Sequence, residues 1–197
     1  MRFIRERWLS WNLRRAASGD RAAMNRLYSF RDPWGLNTPG EHFRFQETAR
    51  IIREKVRPSF GSILEIGCGE GLQTEYFASM GGHIQGVDPS ENAIQRARRR
   101  GIGNASFEIG DLLAIQRRFE QRFDLVTACE VLYYLTDFEQ AYQILNRLGR
   151  ACVVTYYRGV FERLDSFFRD KLVASETIRG ATCEWRLVYW GDELRVD

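Results

Sequence analysis

Several features that would place the chain in other classes are missing from its 197 residues. No run approaches the roughly 18 uninterrupted apolar residues that a membrane span needs. The arginine-rich start MRFIRERWLSWNLRR lacks the apolar core of a signal peptide, so we predict no membrane span and a cytoplasmic location. The four cysteines form no C-x-x-C pair, which favours reduced thiols over disulfides.

Metal-binding patterns and a large charge excess are also missing. With two histidines and no cluster at metal-ligand spacing, the sequence predicts a metal-independent reaction. The net charge is only +3, so we expect no nucleic-acid partner. The basic excess is nevertheless uneven, because eight arginines precede Asp32 against Glu6 and Asp20. This arm either contacts an anionic partner or membrane surface, or is a solvated helix face whose apolar side packs on the domain.

Strand-like and helix-like segments alternate through most of the chain. Five strands are predicted, at SILEIGC, HIQGVD, ASFEIGD, RFDLVTACEV and ACVVTYY. Helical patterns lie between them, and the tail predicts a helix near 160–172 followed by a hairpin-like pair, ETIRGATCEW and RLVYWGD. This order predicts an α/β fold: a Rossmann-like, doubly wound, mostly parallel sheet with an N-terminal helical extension.

The segment RDPWGLNTPG separates this extension from the rest. Its two prolines and two glycines break any regular pattern, so we predict a loop or lid there. The domain boundaries are therefore 1–40 for the helical extension and lid, and 41–197 for the domain with the sheet. A helix is predicted over about 41–56.

A glycine-rich turn, GCGEGL at 67–72, follows the first predicted strand. Glycines permit a tight strand-to-helix turn and let the backbone approach a ligand without a Cβ in the way. A nicotinamide-binding turn would have Gly or Ala where Leu72 stands. The spacing G-x-G-x-G therefore disfavours an oxidoreductase.

Two carboxylates stand where ligands bind in such sheets, after the carboxyl ends of strands. Asp88 ends the second predicted strand, where it either accepts hydrogen bonds from a ribose diol or only starts a turn before Pro89. Glu130 lies near the end of the fourth strand, where a polar group is costly unless paired. It is either a site carboxylate or a satisfied structural one. Tyr133 and Tyr134 either wall the pocket or pack beside it.

Taken together, these elements resemble those of class I S-adenosylmethionine-dependent methyltransferases. With DPW at 32–34 and EVLYYL at 130–135, the chain is similar to the NodS group, which N-methylates a deacetylated chitooligosaccharide amine. The resemblance implies S-adenosylmethionine as cofactor, with the glycine turn beside its methionine part and Asp111 or Leu112 beside its adenine. The implied cofactor-binding residues are Glu65, Gly67, Cys68, Gly69, Gly71, Asp88, Pro89, Asp111, Leu112 and Glu130.

The acceptor side follows from the same resemblance and from the chemistry of an amine. A bound amine must be deprotonated before it reacts, and Glu130 or His42 is the expected base. The expected acceptor-binding residues are Trp34, Arg44, Tyr133 and Tyr134. We expect a small-molecule or oligosaccharide acceptor. Two alternatives stay open: O-methylation of a saccharide or small molecule, and a non-catalytic S-adenosylmethionine-binding module with a basic arm.

Overall fold

The computed structural model describes residues 21–192, and the expectations for residues 1–20 lie outside this part. The helices are α1 (Arg21–Leu27), α2 (Pro39–Ile51), α3 (Thr74–Phe77), α4 (Glu91–Arg99), α5 (Leu112–Gln116), α6 (Phe138–Leu148) and α7 (Phe161–Phe168). The strands are β1 (Phe60–Ile66), β2 (Gly81–Asp88), β3 (Ala105–Ile109), β4 (Phe123–Cys129), β5 (Gly149–Tyr157), β6 (Ala174–Arg179) and β7 (Glu184–Gly191).

All seven strands form one sheet in the order β3-β2-β1-β4-β5-β7-β6. Strands β1 to β5 are parallel, and β7 runs antiparallel to both β5 and β6. The chain reverses direction across the sheet between β1 and β4, the switch point at which open α/β sheets bind ligands. The predicted α/β fold, with its mostly parallel sheet, N-terminal helix and closing hairpin, is confirmed.

The core covers both faces of the sheet because neighbouring residues of a strand point to opposite sides. On one face, Leu64 and Val126 pack in a cluster with α6. On the other, Ile63 and Leu125 pack with the end of α2. All four side chains are buried, which explains why the central strands are continuous apolar runs rather than alternating ones.

Two helix starts were predicted at residues whose side chains cap them, whereas α5, which Asp111 caps, was not predicted. The Ser90 hydroxyl accepts a hydrogen bond from the Ala93 amide at 3.2 Å and opens α4. The Asp137 carboxylate accepts one from Gln140 at 2.9 Å and opens α6. Such caps satisfy backbone donors that a helix leaves unpaired in its first turn.

Several predicted elements differ in extent from the structure, beginning with the helix and strand around Met80. The apolar spacing from Leu72 to Met80 predicts one helix, but α3 is four residues long. The glycines at 81–82 open β2 instead of ending a helix, because a Cβ on Gly82 would lie 2.8 Å from the Gly61 carbonyl oxygen of β1. Only glycine allows this backbone approach.

In the tail, the predicted first run ETIRGATCEW contains the turn itself. The Gly180 amide donates to the Cys183 carbonyl at 2.9 Å, so Glu184 and Trp185 belong to β7. The predicted helix near 160–172 spans only Phe161–Phe168. The predicted helix at 41–56 begins at Pro39, and its last turn, Ile52–Val56, is π-helical.

The segment at 21–40 is fastened to the domain by side chains of α4 and the glycine turn. Arg96 donates to the carbonyls of Tyr28 at 2.8 Å and Phe30 at 2.7 Å, and pairs with Glu70 at 2.5 Å. Glu70 also accepts from the Asp32 amide at 3.1 Å. This cluster places the segment over the carboxyl ends of the strands, where the predicted lid would lie. The boundary at residue 40 stays a prediction.

We expect Arg96→Met to lower the free energy of unfolding by about 2–4 kcal/mol, because it leaves the buried Glu70 carboxylate and two carbonyls without their donor. Arg118→Met breaks an exposed pair with Glu108, 2.7 Å in length, and is the matched control, with a change below about 0.5 kcal/mol. Urea denaturation of both variants measures the difference. Equal effects would contradict a fastening role for Arg96.

Candidate active site

A cavity of about 590 Å³ lies between the segment at 21–40 and the carboxyl ends of β1, β2 and β4. Its size is that of a pocket for a cofactor or other small molecule. Met24, Tyr28, Trp34 and Leu36 line it from the N-terminal segment. Further lining comes from the glycine turn, the strand ends, the segment after β4, and the helices α2, α5 and α6.

The glycine turn forms one wall, and its backbone conformation requires glycine. Gly67 has φ +70° and Gly69 has φ +54°, in the left-handed region. A Cβ on Gly67 would lie 2.3 Å from a Val131 methyl carbon, and one on Gly69 would lie 2.9 Å from the Tyr28 hydroxyl oxygen. At Gly67 and Gly69, the turn therefore places backbone atoms without a side chain against the cavity.

Gly71 has a different role from the one expected. It has φ +77° but does not line the cavity. A Cβ there would lie 3.2 Å from Ala97 and 3.3 Å from the Arg100 side chain. Gly71 therefore lets α4 pack closely on the turn, and the structure does not bring it to the predicted cofactor site.

Asp88 closes the wall at the end of β2. Its two carboxylate oxygens accept hydrogen bonds from the amides of Gly69 at 3.1 Å and Ser90 at 2.8 Å. Burial raises the pKa of Asp88 to about 6, and the two amides oppose that shift. A carboxylate has about four acceptor positions, so Asp88 keeps capacity for a ligand hydroxyl. Asp88 and Pro89, two of the residues expected to bind the cofactor, both line the cavity.

Glu65, near the end of β1, also lines the cavity and is 3% exposed. It accepts a hydrogen bond from the Thr74 hydroxyl at 2.5 Å. Burial raises the pKa of Glu65 to about 8, against the lowering effect of this bond and of the Arg44 charge. Near neutral pH, Glu65 is therefore mainly protonated.

Arg44 reaches the cavity from α2 and is 2% exposed. It pairs with Glu41 at 2.8 Å and donates to the Gln73 side-chain oxygen Oε1 at 3.1 Å. Burial disfavours its charge, but the charges of Glu130 and Glu41 outweigh this effect and raise the pKa of Arg44. Because Arg44 fixes the Gln73 amide, the Gln73 Nε2 donor is buried with no partner among residues 21–192. A buried donor of this kind is costly unless a ligand meets it.

Glu130 follows β4 directly and has φ +58°, an uncommon conformation for a residue with a side chain. Its amide donates to the Thr155 carbonyl at 2.9 Å. Its carboxylate accepts hydrogen bonds from the Thr155 hydroxyl at 3.0 Å and the Tyr133 hydroxyl at 3.2 Å. Burial raises the pKa of Glu130, and the Arg44 charge partly opposes the shift. A strained residue with oriented carboxylate oxygens is typical of a functional site.

Four aromatic rings, which we call the aromatic wall, line the cavity beside Glu130: Trp34, Tyr133, Tyr134 and Tyr157. The ring centres lie 5.7 Å apart for Trp34 and Tyr134, 4.6 Å for Tyr133 and Tyr134, and 5.4 Å for Tyr133 and Tyr157. The structure thus brings three of the four expected acceptor residues together, and Arg44 lies in the same cavity.

Asp111 and Leu112 line the cavity beyond the end of β3. The strand ends at Ile109, two residues before Asp111. The Asp111 carboxylate caps α5 by accepting a hydrogen bond from the Ala114 amide at 2.8 Å. Asp111 is therefore a helix-start residue at the cavity edge.

His42 is not brought to the cavity. It lies on another side of α2, where its ring nitrogens are 2.8 Å from the Tyr76 hydroxyl and 2.9 Å from the Asn37 side-chain oxygen. Asp32 of the DPW motif also has a local role, because its carboxylate accepts hydrogen bonds from the amides of Leu36 and Asn37 and shapes the turn. We therefore retain Glu130, and not His42, as the candidate base.

All four cysteines are unpaired. Cys68, a predicted cofactor-binding residue, and Cys129 line the cavity. Burial raises the pKa of Cys68 well above its usual value and that of Cys129 to about 12, so both stay thiols. Within residues 21–192, no His, Cys, Asp and Glu side chains group together as a metal site, and no helix is long and apolar enough to cross a bilayer.

No motif indicated three of the cavity residues, Tyr28, Gln73 and Tyr157, or Thr155, which contacts Glu130. Tyr28 and Gln73 line the cavity next to the glycine turn. Thr155 supports Glu130 from β5, and Tyr157 ends that strand. Gln73 follows the glycine turn directly, so its position was the one signal available in the sequence.

The family model described as a methyltransferase domain matches residues 59–191, more than half of the chain. The chain belongs to the methyltransferase domain family. The predicted resemblance is thereby confirmed, and S-adenosylmethionine is the cofactor that this family uses. The family match covers the sheet, the glycine turn and Glu130 and begins after the segment at 21–40.

Two curated relatives align with different lengths of this chain. Nodulation protein S of Bradyrhizobium diazoefficiens is 35% identical over 119 residues, which cover 59% of this chain and 56% of that protein. The ubiquinone biosynthesis O-methyltransferase of Methylocella silvestris is 28% identical over 179 residues, 87% of this chain and 69% of that protein. The chain thus spans about half the length of the nodulation relative.

Among solved structures, the fold is similar to that of the N-methyltransferase NodS from Bradyrhizobium japonicum WM9 in complex with S-adenosyl-L-homocysteine. The TM-score is 0.69 at 23% identity, and the match covers 88% of this chain and 96% of that one. At this identity, the similarity concerns the fold.

We expect Gly67→Ala to lower the free energy of unfolding by about 3 kcal/mol, because the added methyl meets Val131 and the positive φ is strained. Gly103→Ala is the matched control: nothing lies within 4 Å of its Cβ position, and the residue has no positive φ. Thermal or urea unfolding measures both. A small effect at Gly67 would mean that the turn can relax, contrary to the close approach described.

The raised pKa values of Glu65 and Asp88 predict that stability falls as pH rises. Between about pH 5 and pH 9, the folded protein holds protons on these groups that the unfolded chain has released, so the free energy of unfolding decreases with pH. Glu65→Gln removes one such proton and should flatten this decrease above about pH 6. Glu108→Gln, in an exposed ion pair, is the control. An unchanged slope in Glu65→Gln would contradict the raised pKa.

Proposed function

We propose that this protein transfers a methyl group from S-adenosylmethionine to an amine of a small molecule or oligosaccharide, with an amino sugar as the favoured acceptor. The observation that carries the proposal is the placement of Glu130, whose carboxylate is oriented by Thr155 and Tyr133 in the same cavity as Asp88 and the glycine turn. The similarity to nodulation protein S and to the fold of an N-methyltransferase supports an amine acceptor.

The cavity residues fit the cofactor in three respects. The glycine turn leaves no Cβ between its backbone and the cavity, Asp88 retains acceptor positions for ribose hydroxyls, and Gln73 Nε2 is a buried donor that needs an acceptor. Beside Gln73, the Arg44 cation suits a carboxylate, such as that of the methionine part. We therefore assign Arg44 and Gln73 to the cofactor side, although Arg44 was expected to bind the acceptor.

When bound, S-adenosylmethionine supplies a methyl group on a sulfonium whose leaving group is neutral. The protein must therefore align the acceptor nitrogen with that methyl group and exclude water. The N-terminal segment lines the cavity with Tyr28, Trp34 and Leu36 and contributes to this exclusion.

Glu130 holds and deprotonates the amine. An ammonium has no lone pair, so it must lose a proton before it can react. Burial raises the pKa of Glu130, which makes its carboxylate a better proton acceptor than an exposed one. Thr155 and Tyr133 each donate one hydrogen bond to it, which leaves acceptor positions for the amine.

O-methylation is the second candidate, favoured by the ubiquinone biosynthesis O-methyltransferase relative, whose alignment extends over 87% of this chain. A carboxylate base can serve a hydroxyl acceptor as well as an amine. Mass spectrometry of the methylated product, from acceptors that offer both groups, separates the two. Binding of S-adenosyl-L-homocysteine without transfer to any acceptor would instead favour a non-catalytic module.

We expect Asp88→Ala to weaken binding of S-adenosyl-L-homocysteine by at least about 30-fold, through loss of a ribose acceptor and of support for the Gly69 amide. Glu130→Gln should keep this binding within about threefold and lower kcat by about 100-fold, because it lacks the base. Calorimetric titration measures the binding, and transfer to glucosamine or chitosan oligosaccharides measures turnover.

Titration with NADH is the control for cofactor specificity. Wild-type protein should bind S-adenosyl-L-homocysteine and should not bind NADH. Failure of folded wild-type protein to bind it would overturn the proposed function. Equal losses of binding and turnover in Glu130→Gln would contradict the acceptor-side role of Glu130.

A further inference from the structure

We propose that the aromatic wall and Glu130 together form a binding site for a cationic nitrogen, and that this site selects amine acceptors over hydroxyl acceptors. The inference rests on the proposed function and adds a cause of specificity to it. It also assigns a role to Tyr157, which no motif indicated.

The rings of the aromatic wall are angled to one another rather than stacked in parallel. The interplanar angles are 55° for Trp34 and Tyr134, 46° for Tyr133 and Tyr134, and 81° for Tyr133 and Tyr157. Rings at such angles to one another can present more than one face or edge to the same part of the cavity. Ring faces carry negative potential and attract cations, most strongly when water is excluded.

Tyr157 stands at the mouth of the cavity and is 39% exposed. Its ring makes an edge contact with Tyr133, whose hydroxyl donates to the Glu130 carboxylate. The aromatic wall and the Glu130 carboxylate are therefore parts of one contiguous surface. Aromatic faces beside an anion are the combination that protein sites use for ammonium groups.

The charges around Glu130 favour the binding of a cation there. The Arg44 guanidinium pairs with Glu41 at 2.8 Å and also interacts with the charge of Glu130, so two carboxylates face one guanidinium. Glu130 receives hydrogen bonds from neutral hydroxyls of Thr155 and Tyr133. An ammonium at Glu130 would complete a pair of opposite charges in a partly buried site, where the attraction is stronger than in water.

The chemistry of methyl transfer explains why this site favours nitrogen. The amine lone pair forms the new N–CH₃ bond as the S–CH₃ bond breaks, and one positive charge passes from sulfur to nitrogen. The product leaves as an N-methylammonium, and the proton that Glu130 took from the incoming ammonium passes to water. Cation binding thus strengthens as the reaction proceeds, which is the kind of interaction that raises kcat. A hydroxyl acceptor gives a neutral ether after loss of its proton and gains no such benefit.

The test compares two probes of nearly the same shape, choline and 3,3-dimethylbutan-1-ol, in which carbon replaces the quaternary nitrogen. We expect the protein to bind choline about tenfold more tightly, in the range for cation–π contacts with a nearby carboxylate. Calorimetric titration with and without S-adenosyl-L-homocysteine measures both affinities. Equal affinity for the two probes, or no binding of choline at tens of millimolar, would overturn the inference.

Variants at Tyr157 assign the effect to the ring. Tyr157→Phe keeps the ring and should keep the preference, whereas Tyr157→Leu should reduce it by at least about threefold. Phe43→Leu is the matched control, because Phe43 is 40% exposed and does not line the cavity. A preference that survives Tyr157→Leu unchanged would remove Tyr157 from the site.

The outcomes also separate this inference from the proposed function. Binding of S-adenosyl-L-homocysteine with no preference for choline would overturn the cation site and leave methyl transfer standing. A preference for choline in protein that does not bind S-adenosyl-L-homocysteine would support the cation site and overturn methyl transfer. Tighter binding of glucose than of choline would indicate that the aromatic wall stacks on neutral sugar faces instead, against the inference.

Discussion

The hydrogen bonds from the Gly69 and Ser90 amides to Asp88 are the interaction on which the rest of the site depends. One carboxylate at the end of β2 holds the glycine turn that follows β1 and the residue that caps α4. Because burial makes this charge costly, the two amides are needed to retain it. The position of the turn in turn determines where Gln73 and Glu70 lie, and hence where Arg44 and the N-terminal segment attach.

Sequence patterns were sufficient to predict structural elements where the signal comes from residues close together in the chain. The apolar runs predicted the central strands, and the Ser90 and Asp137 caps predicted where α4 and α6 begin. Gly67 and Asp88 were found because a turn and a strand end have characteristic residues at short spacing. The same kind of signal failed at Met80, where apolar spacing predicted a longer helix but the close approach of β2 to β1 determined the structure.

Residues brought together by tertiary packing could not be found in this way. Tyr28 and Tyr157 meet the cavity from opposite ends of the chain, and neither stands in a motif. The error over His42 has a related cause: its position beside DPW indicated a lid residue, but the sequence does not say which side of α2 faces the cavity. Arg44, two residues later on the same helix, is the residue that enters it.

The N-terminal segment connects the two halves of the cavity through a single aromatic residue. The Trp34 ring contacts Tyr28, which lies against the glycine turn, and Tyr134, which belongs to the aromatic wall, with ring centres 6.5 and 5.7 Å away. Because packed side chains transmit displacement, we expect a ligand that moves Tyr28 to move Trp34 and the aromatic wall as well. Under the proposed function, acceptor recognition would therefore depend on the contacts by which Arg96 holds this segment in place.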